Sequence, residues 1–76
     1  MTKENFLIEL QDALQTEEVL DEKTKIKDIE EWDSLAILST IALFDTLFNI
    51  KITGDMLREC EYVDDIISLA GDMIEE

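Results

Sequence analysis

Apolar residues recur at helical spacing in three stretches of this chain. From Lys3 to Gln15, Phe6, Leu7, Leu10, Ala13 and Leu14 fall on one stripe, with Glu4, Glu9 and Asp12 outside it and Ile8 off its edge. Thr2 stands where an N-cap hydroxyl belongs. From Ser34 to Leu47 a second helix is apolar on nearly every side. One face carries Ile37, Ile41, Phe44 and Phe48 with Leu43 and Leu47 adjoining, and the other carries Leu35, Leu38, Ser39, Ala42, Asp45 and Thr46. So small a chain cannot cover such a helix all round, so part of its second face is expected to be an interaction surface. From Val63 to Ile74 a third stripe comprises Val63, Ile66, Ile67, Ala70, Met73 and Ile74. Asp64 and Asp65 lie in the first turn, where the helix dipole favours negative charge, and Gly71 sits inside at a cost of about 1 kcal/mol relative to alanine.

Between these stretches the periodicity lapses. Thr16 to Trp32 reads as a long loop pinned by Val19, Leu20, Ile26, Ile29 and Trp32, with a short helical turn near Lys25 to Ile29. Phe48 to Gly54 is a connector ending in the turn chemistry of Thr53-Gly54-Asp55. Met56 to Cys60 is a short helix expected to send Met56, Leu57 and Cys60 into the core. The expected fold is all-α: a small four-helix bundle, three helices longer and one short, with a long loop between the first two.

Composition sharpens this picture. Seventy-six residues with 46% apolar content make one domain, 1–76, with one core. Two glycines and no proline favour helices over tightly turned sheets. Twenty acidic residues against six basic ones give a net charge of −14. This opposes binding to nucleic acid phosphates or anionic membranes and favours steering towards proteins with basic patches. No apolar run approaches the roughly 20 residues that cross a bilayer, so no membrane insertion is expected. Met1-Thr2-Lys3-Glu4-Asn5 lacks the basic-then-apolar form of a secretory signal. Cys60, the one cysteine, fits a reducing compartment, and a cytoplasmic monomer is expected.

Candidate chemistry is sparse. There is no histidine, no glycine-rich phosphate loop, no zinc ligand set and no EF-hand spacing among the carboxylates, so neither a metal site nor an enzyme is expected. Cys60 reads as a small buried hydrophobe. What remains is Trp32-Asp33-Ser34-Leu35, where a serine opens the most apolar helix and Asp33 caps it. An Asp-Ser pair is also an ordinary helix start.

Asp33-Ser34-Leu35 at that position resembles the marker of the acyl carrier proteins. The resemblance extends over the helix-one stripe, the loop anchors Ile26 and Ile29, Phe48-Asn49-Ile50-Lys51-Ile52 and Tyr62-Val63-Asp64-Asp65-Ile66-Ile67. It implies that a phosphopantetheinyl transferase attaches the phosphopantetheine of coenzyme A to Ser34. The arm would carry an acyl or aminoacyl group as a thioester for loading and acyl-transferring enzymes, in lipid or secondary metabolite biosynthesis. Partner contacts are then expected at Glu30, Glu31, Asp33, Leu35, Leu38, Ser39, Ala42 and Asp45. Phe6, Phe44 and Phe48 are expected to limit any acyl pocket.

Two departures set this chain apart. Family members often carry several glutamates along helix two, whereas here Asp45 is its one carboxylate. A glycine-containing turn before the motif is replaced by Glu30-Glu31-Trp32, where Trp32 is a loop anchor or shapes what the cargo touches. The first favours a specialised carrier over one serving general fatty acid synthesis, and the absence of glycines just before the serine disfavours a peptidyl carrier. The competing expectation is a non-covalent acidic helical adaptor for a basic or apolar partner.

Overall fold

The computed structural model describes residues 1–29 and 32–75. Four α-helices carry it: α1 (Lys3–Leu14), α2 (Ser34–Phe48), α3 (Gly54–Arg58) and α4 (Val63–Leu69). Single 3-10 turns follow at Ile26–Asp28, within the loop after α1, and at Gly71–Met73, after α4. The described residues are 62% helical and contain no strand. Among them no helix is long and apolar enough to cross a membrane.

Each helix starts where a side chain satisfies its free amides. Thr2 Oγ1 accepts from the Asn5 amide at 3.2 Å, Asp33 Oδ1 from Ala36 at 3.0 Å, and Thr53 Oγ1 from Met56 at 3.2 Å. At α4 the Asp65 carboxylate reaches back to the Glu61 and Tyr62 amides, at 2.9 and 3.0 Å. α1 and α2 end on left-handed residues, Gln15 (φ 55°) and Asn49 (φ 56°). The Ile50 amide then bonds to the Phe44 carbonyl, closing the last turn of α2.

The centre of the core is aromatic. Phe6 and Phe44 are fully buried and Phe48 nearly so. Phe44 meets Phe6 edge-on at 5.7 Å between centroids and Phe48 at 5.4 Å, and Phe6 lies 5.9 Å from Phe48. Leu10, Leu57, Val63 and Ile66 complete the packing without solvent exposure.

The loop after α1 is held by backbone hydrogen bonds to the start of α4. The Ile26 amide donates to Glu61, Val63 to Thr24 and Asp64 to Glu22, each at 2.9 Å. Leu20, Ile26 and Ile29 are buried beneath it, and Trp32 packs half-buried against the core. Val19, expected as an anchor, is instead 86% exposed. The two chain ends are also joined: Glu75 donates to Met1 at 2.7 Å and Lys3 to Glu75 at 3.1 Å.

Several expectations need correction. The inner stripe of α2 is Ala36, Thr40, Phe44 and Phe48, whereas Ile37 and Ile41 flank it half-buried. Thr40 is tolerated at 0% exposure because its hydroxyl donates to the Ala36 carbonyl one turn back, at 2.9 Å. Thr53-Gly54-Asp55 is a helix start, not a turn, so α3 begins two residues before Met56 and ends at Arg58. Met56 is then 37% exposed and Cys60 half-buried; only Leu57 of that trio enters the core fully. The last helix stops at Leu69, because Gly71 takes φ 60°, and Met73 turns out to 47% exposure.

Two stability predictions arise here. The molecule measures 28 × 22 × 19 Å, comparable to the Debye length of about 30 Å at ~0.01 M salt and far above about 3 Å at ~1 M. Its net charge of −14 therefore repels itself across the whole body at low salt. The urea midpoint is expected to rise with sodium chloride; a flat or falling midpoint would show that self-repulsion is not a material cost.

The second concerns Asp65. The amides of Tyr62 and then Glu61 hold its carboxyl below the ordinary value of 3.8. A group depressed on folding stabilises above its unfolded pKa and loses that contribution as pH falls through the folded one. Asp65→Asn should therefore melt below wild type at neutral pH. The gap should close only as pH drops below about 4, the ordinary carboxylate range. A gap that is unchanged down to acid unfolding would assign the loss to shape, not charge.

Candidate functional site

Ser34 is the first residue of α2, and its side chain is exposed. The helix begins there because Asp33, in extended conformation (φ −135°, ψ −168°), turns its carboxylate onto the third amide. Capping therefore falls to Asp33, which leaves the Ser34 hydroxyl without a hydrogen-bond partner among the described residues. The Ser34 and Leu35 amides, at the positive end of a 15-residue helix, likewise find no acceptor there.

Two open clefts lie near the head of α2, and Ser34 lines the first of them. One, of about 400 Å³, runs from Ser34 along Ile37, Leu38 and Ile41 of α2. Its opposite side is Thr53, Gly54, Asp55 and Arg58. The other, of about 340 Å³, lies between Asp33, Leu35, Ala36 and Ser39 and the end of α1 at Ala13, Leu14 and Gln15. Leu35 and Leu38 stand 70% and 63% exposed, each lining one of the two clefts. The two leucines lie within one turn of each other on α2.

The expected partner surface is brought together in part. Asp33, Leu35, Leu38, Ala42 and Asp45 are all exposed along α2, while Ser39 is half-buried in the second cleft. Asp45 faces Lys51 at 3.4 Å, an exposed pair of the kind that contributes little to stability. Glu30 and Glu31 lie outside the described residues. Arg58 was not singled out by sequence reasoning. It pairs with Asp55 at 3.0 Å on the rim of the first cleft. The i, i+3 spacing of Asp55 and Arg58 was the available signal, but it carried no meaning until α3 was known to face Ser34.

Cys60 has a different character. Burial pushes its thiol above the ordinary 9.0, and the Asp65 and Glu59 carboxylates push it further. Its Sγ donates to the Met56 carbonyl at 3.4 Å. A thiol kept protonated in this way is a poor nucleophile at neutral pH.

Fold and site together define a small all-α domain with a solvent-facing serine at the head of its longest helix, on the edge of an open cleft. Comparison of the chain with protein-family models, with curated proteins and with solved structures found no match.

Proposed function

We propose that this protein is a carrier domain, covalently modified on Ser34 by phosphopantetheine and not itself an enzyme. The observation that carries the reading is the Ser34 hydroxyl: exposed, unpartnered among the described residues, and relieved of capping by Asp33. It fits the phosphodiester in two respects. The first amides of α2 are free of acceptors among the described residues, and the dipole of a long helix favours an anion at that end. The cleft from Ser34 along Ile37, Leu38 and Ile41 gives the arm an apolar wall to lie against.

In the modification Ser34 Oγ forms a bond to phosphorus while the pyrophosphate linkage of coenzyme A breaks. The adenosine bisphosphate fragment leaves, and the serine proton passes to a base on the transferase. The sequence has no histidine to supply that base. When bound, the arm supplies a terminal thiol on which acyl groups are held as thioesters. Asp33 keeps the head of α2 in register, and Ser34 fixes the point of attachment.

The remaining surface supports presentation to separate enzymes. Leu35, Leu38 and Ala42 give a partner apolar area to bury, and the net charge of −14 steers basic surfaces towards it. Glu30, Glu31, Asp33 and Asp45 would be the carboxylates that such a partner reads. The transferase and the loading and transferring enzymes are the partners this reading names.

Intact mass before and after incubation with coenzyme A, magnesium and a broad-specificity phosphopantetheinyl transferase tests the proposal. A gain of one phosphopantetheine is expected. No gain on folded protein across several transferases would overturn it and favour the adaptor, for which the exposed Leu35 and Leu38 alone would suffice.

A further inference from the structure

Among the described residues that line the two clefts at the head of α2, Arg58 is the one cation. The other basic residues belong elsewhere. Lys3 and Lys23 border a separate hollow with Tyr62, Lys25 and Lys27 belong to the loop after α1, and Lys51 faces Asp45. α3 carries the Arg58 guanidinium across to α2. A Cβ on Gly54 would stand 3.5 Å from Ile37 Cγ2 and 3.7 Å from Arg58 Nη1, so Arg58 reaches the Ile37 side of the cleft. Ile37 is three residues from Ser34, a spacing at which helix neighbours lie about 5–6 Å apart.

The guanidinium has donors to spare. It carries its N–H groups in a flat fork, and one of them, at Nη1, is spent on Asp55 at 3.0 Å. The others meet no acceptor among the described residues. Both side chains are exposed, Arg58 to 64% and Asp55 to 90%, so packing locks neither in place.

Attachment of the arm would put a new anion on the edge of this cleft. The chain already holds a net charge of −14, and Asp33 adjoins Ser34, so the added charge is repelled unless a cation answers it. The non-bridging oxygens of a phosphodiester match the fork of an arginine, which binds phosphate through paired N–H bonds. Tethering adds to this. A group on a short link meets its neighbour at an effective concentration on the order of millimolar, so a contact too weak to capture free phosphate still forms.

Resting on the carrier reading above, we propose that Arg58 is the positioning residue for the phosphodiester on Ser34, holding it through the donors that Asp55 leaves free. Asp55 competes for the same guanidinium, so its charge tunes the contact.

The test uses the full chain and its Arg58→Gln, Arg58→Lys and Asp55→Asn variants, each loaded with phosphopantetheine from coenzyme A and checked by intact mass. The phosphorus resonance of the diester and the Arg58 Nε–H resonance are followed against potassium chloride. Loading is expected to shift the wild-type Arg58 Nε–H. At low salt the wild-type phosphorus resonance should differ from that of Arg58→Gln, and at high salt it should converge on it as the contact is screened. Arg58→Lys keeps the charge without the fork and should fall between the two. Asp55→Asn removes the competitor and should resist screening to higher salt. Because salt is expected to tighten this acidic fold, a contact that loosens in the same titration is not a loss of structure. A phosphorus resonance indifferent to Arg58→Gln at every salt concentration, or an Nε–H unmoved by loading, would overturn the inference and leave the carrier reading standing. Absence of any mass gain would overturn both.

Discussion

Replacing Ser34 by alanine is expected to abolish the mass gain from phosphopantetheinyl transferase while leaving the fold intact. The two effects separate because Ser34 does no structural work that alanine cannot do. Its side chain is exposed and makes no hydrogen bond among the described residues, and the amide it might have capped is taken by Asp33. Surface substitutions of this kind stay within about 0.5 kcal/mol, and alanine is the better helix former. Asp33→Ala is the informative partner. It keeps the hydroxyl but removes the cap, at a cost of about 1 kcal/mol, together with one carboxylate the transferase reads, so it should lower the melting temperature and slow modification without abolishing it. Modification persisting in Ser34→Ala would place attachment elsewhere and sink the assignment. A Ser34→Ala protein that failed to fold would show that the hydroxyl is structural after all.

Phe44→Ala is expected to have the largest effect on stability. Phe44 is fully buried and touches both other phenyl rings, so removing it opens the centre of the core. Truncations of this kind cost about 3–5 kcal/mol. At roughly 0.05–0.15 kcal/mol per residue a domain of this length holds only about 4–11 kcal/mol in total. The variant should therefore lose much of its cooperative unfolding, read by circular dichroism against urea. Phe44→Leu keeps more of the volume and should fall between it and wild type. A loss below about 1 kcal/mol for Phe44→Ala, the size of an ordinary point substitution, would mean that the cluster is not the packing centre.

Thr2 and Asp33 were legible as caps because an N-cap needs only a short polar side chain ahead of a periodic run. Thr53 meets the same criterion, but its neighbours point to a turn. The glycine after it resembles turn chemistry, and α3 is only five residues long, too short for a periodic signal. At the last helix, periodicity alone makes Gly71 a tolerated interior residue. Tertiary closure of the chain ends bends the backbone there instead, and Gly71 takes the left-handed conformation that glycine adopts without penalty. Within α2 the failure was one of rotation. The large apolar residues surround the helix, so they cannot say which side is inner. Ala36 and Thr40, one small and one polar, give too weak a hydrophobic signal to mark the inner side.

By itself the sequence determined an all-α chain, the starts of its two long helices, the aromatic core residues and one serine exempt from capping. These depend on neighbours within a few positions, where caps and helical periodicity act. Only the tertiary structure decided which side of α2 faces inward, how the loop after α1 is tied to α4, and that Arg58 lines the same cleft as Ser34. Those depend on which surfaces bury one another across the whole chain, and hydrophobic burial is non-directional.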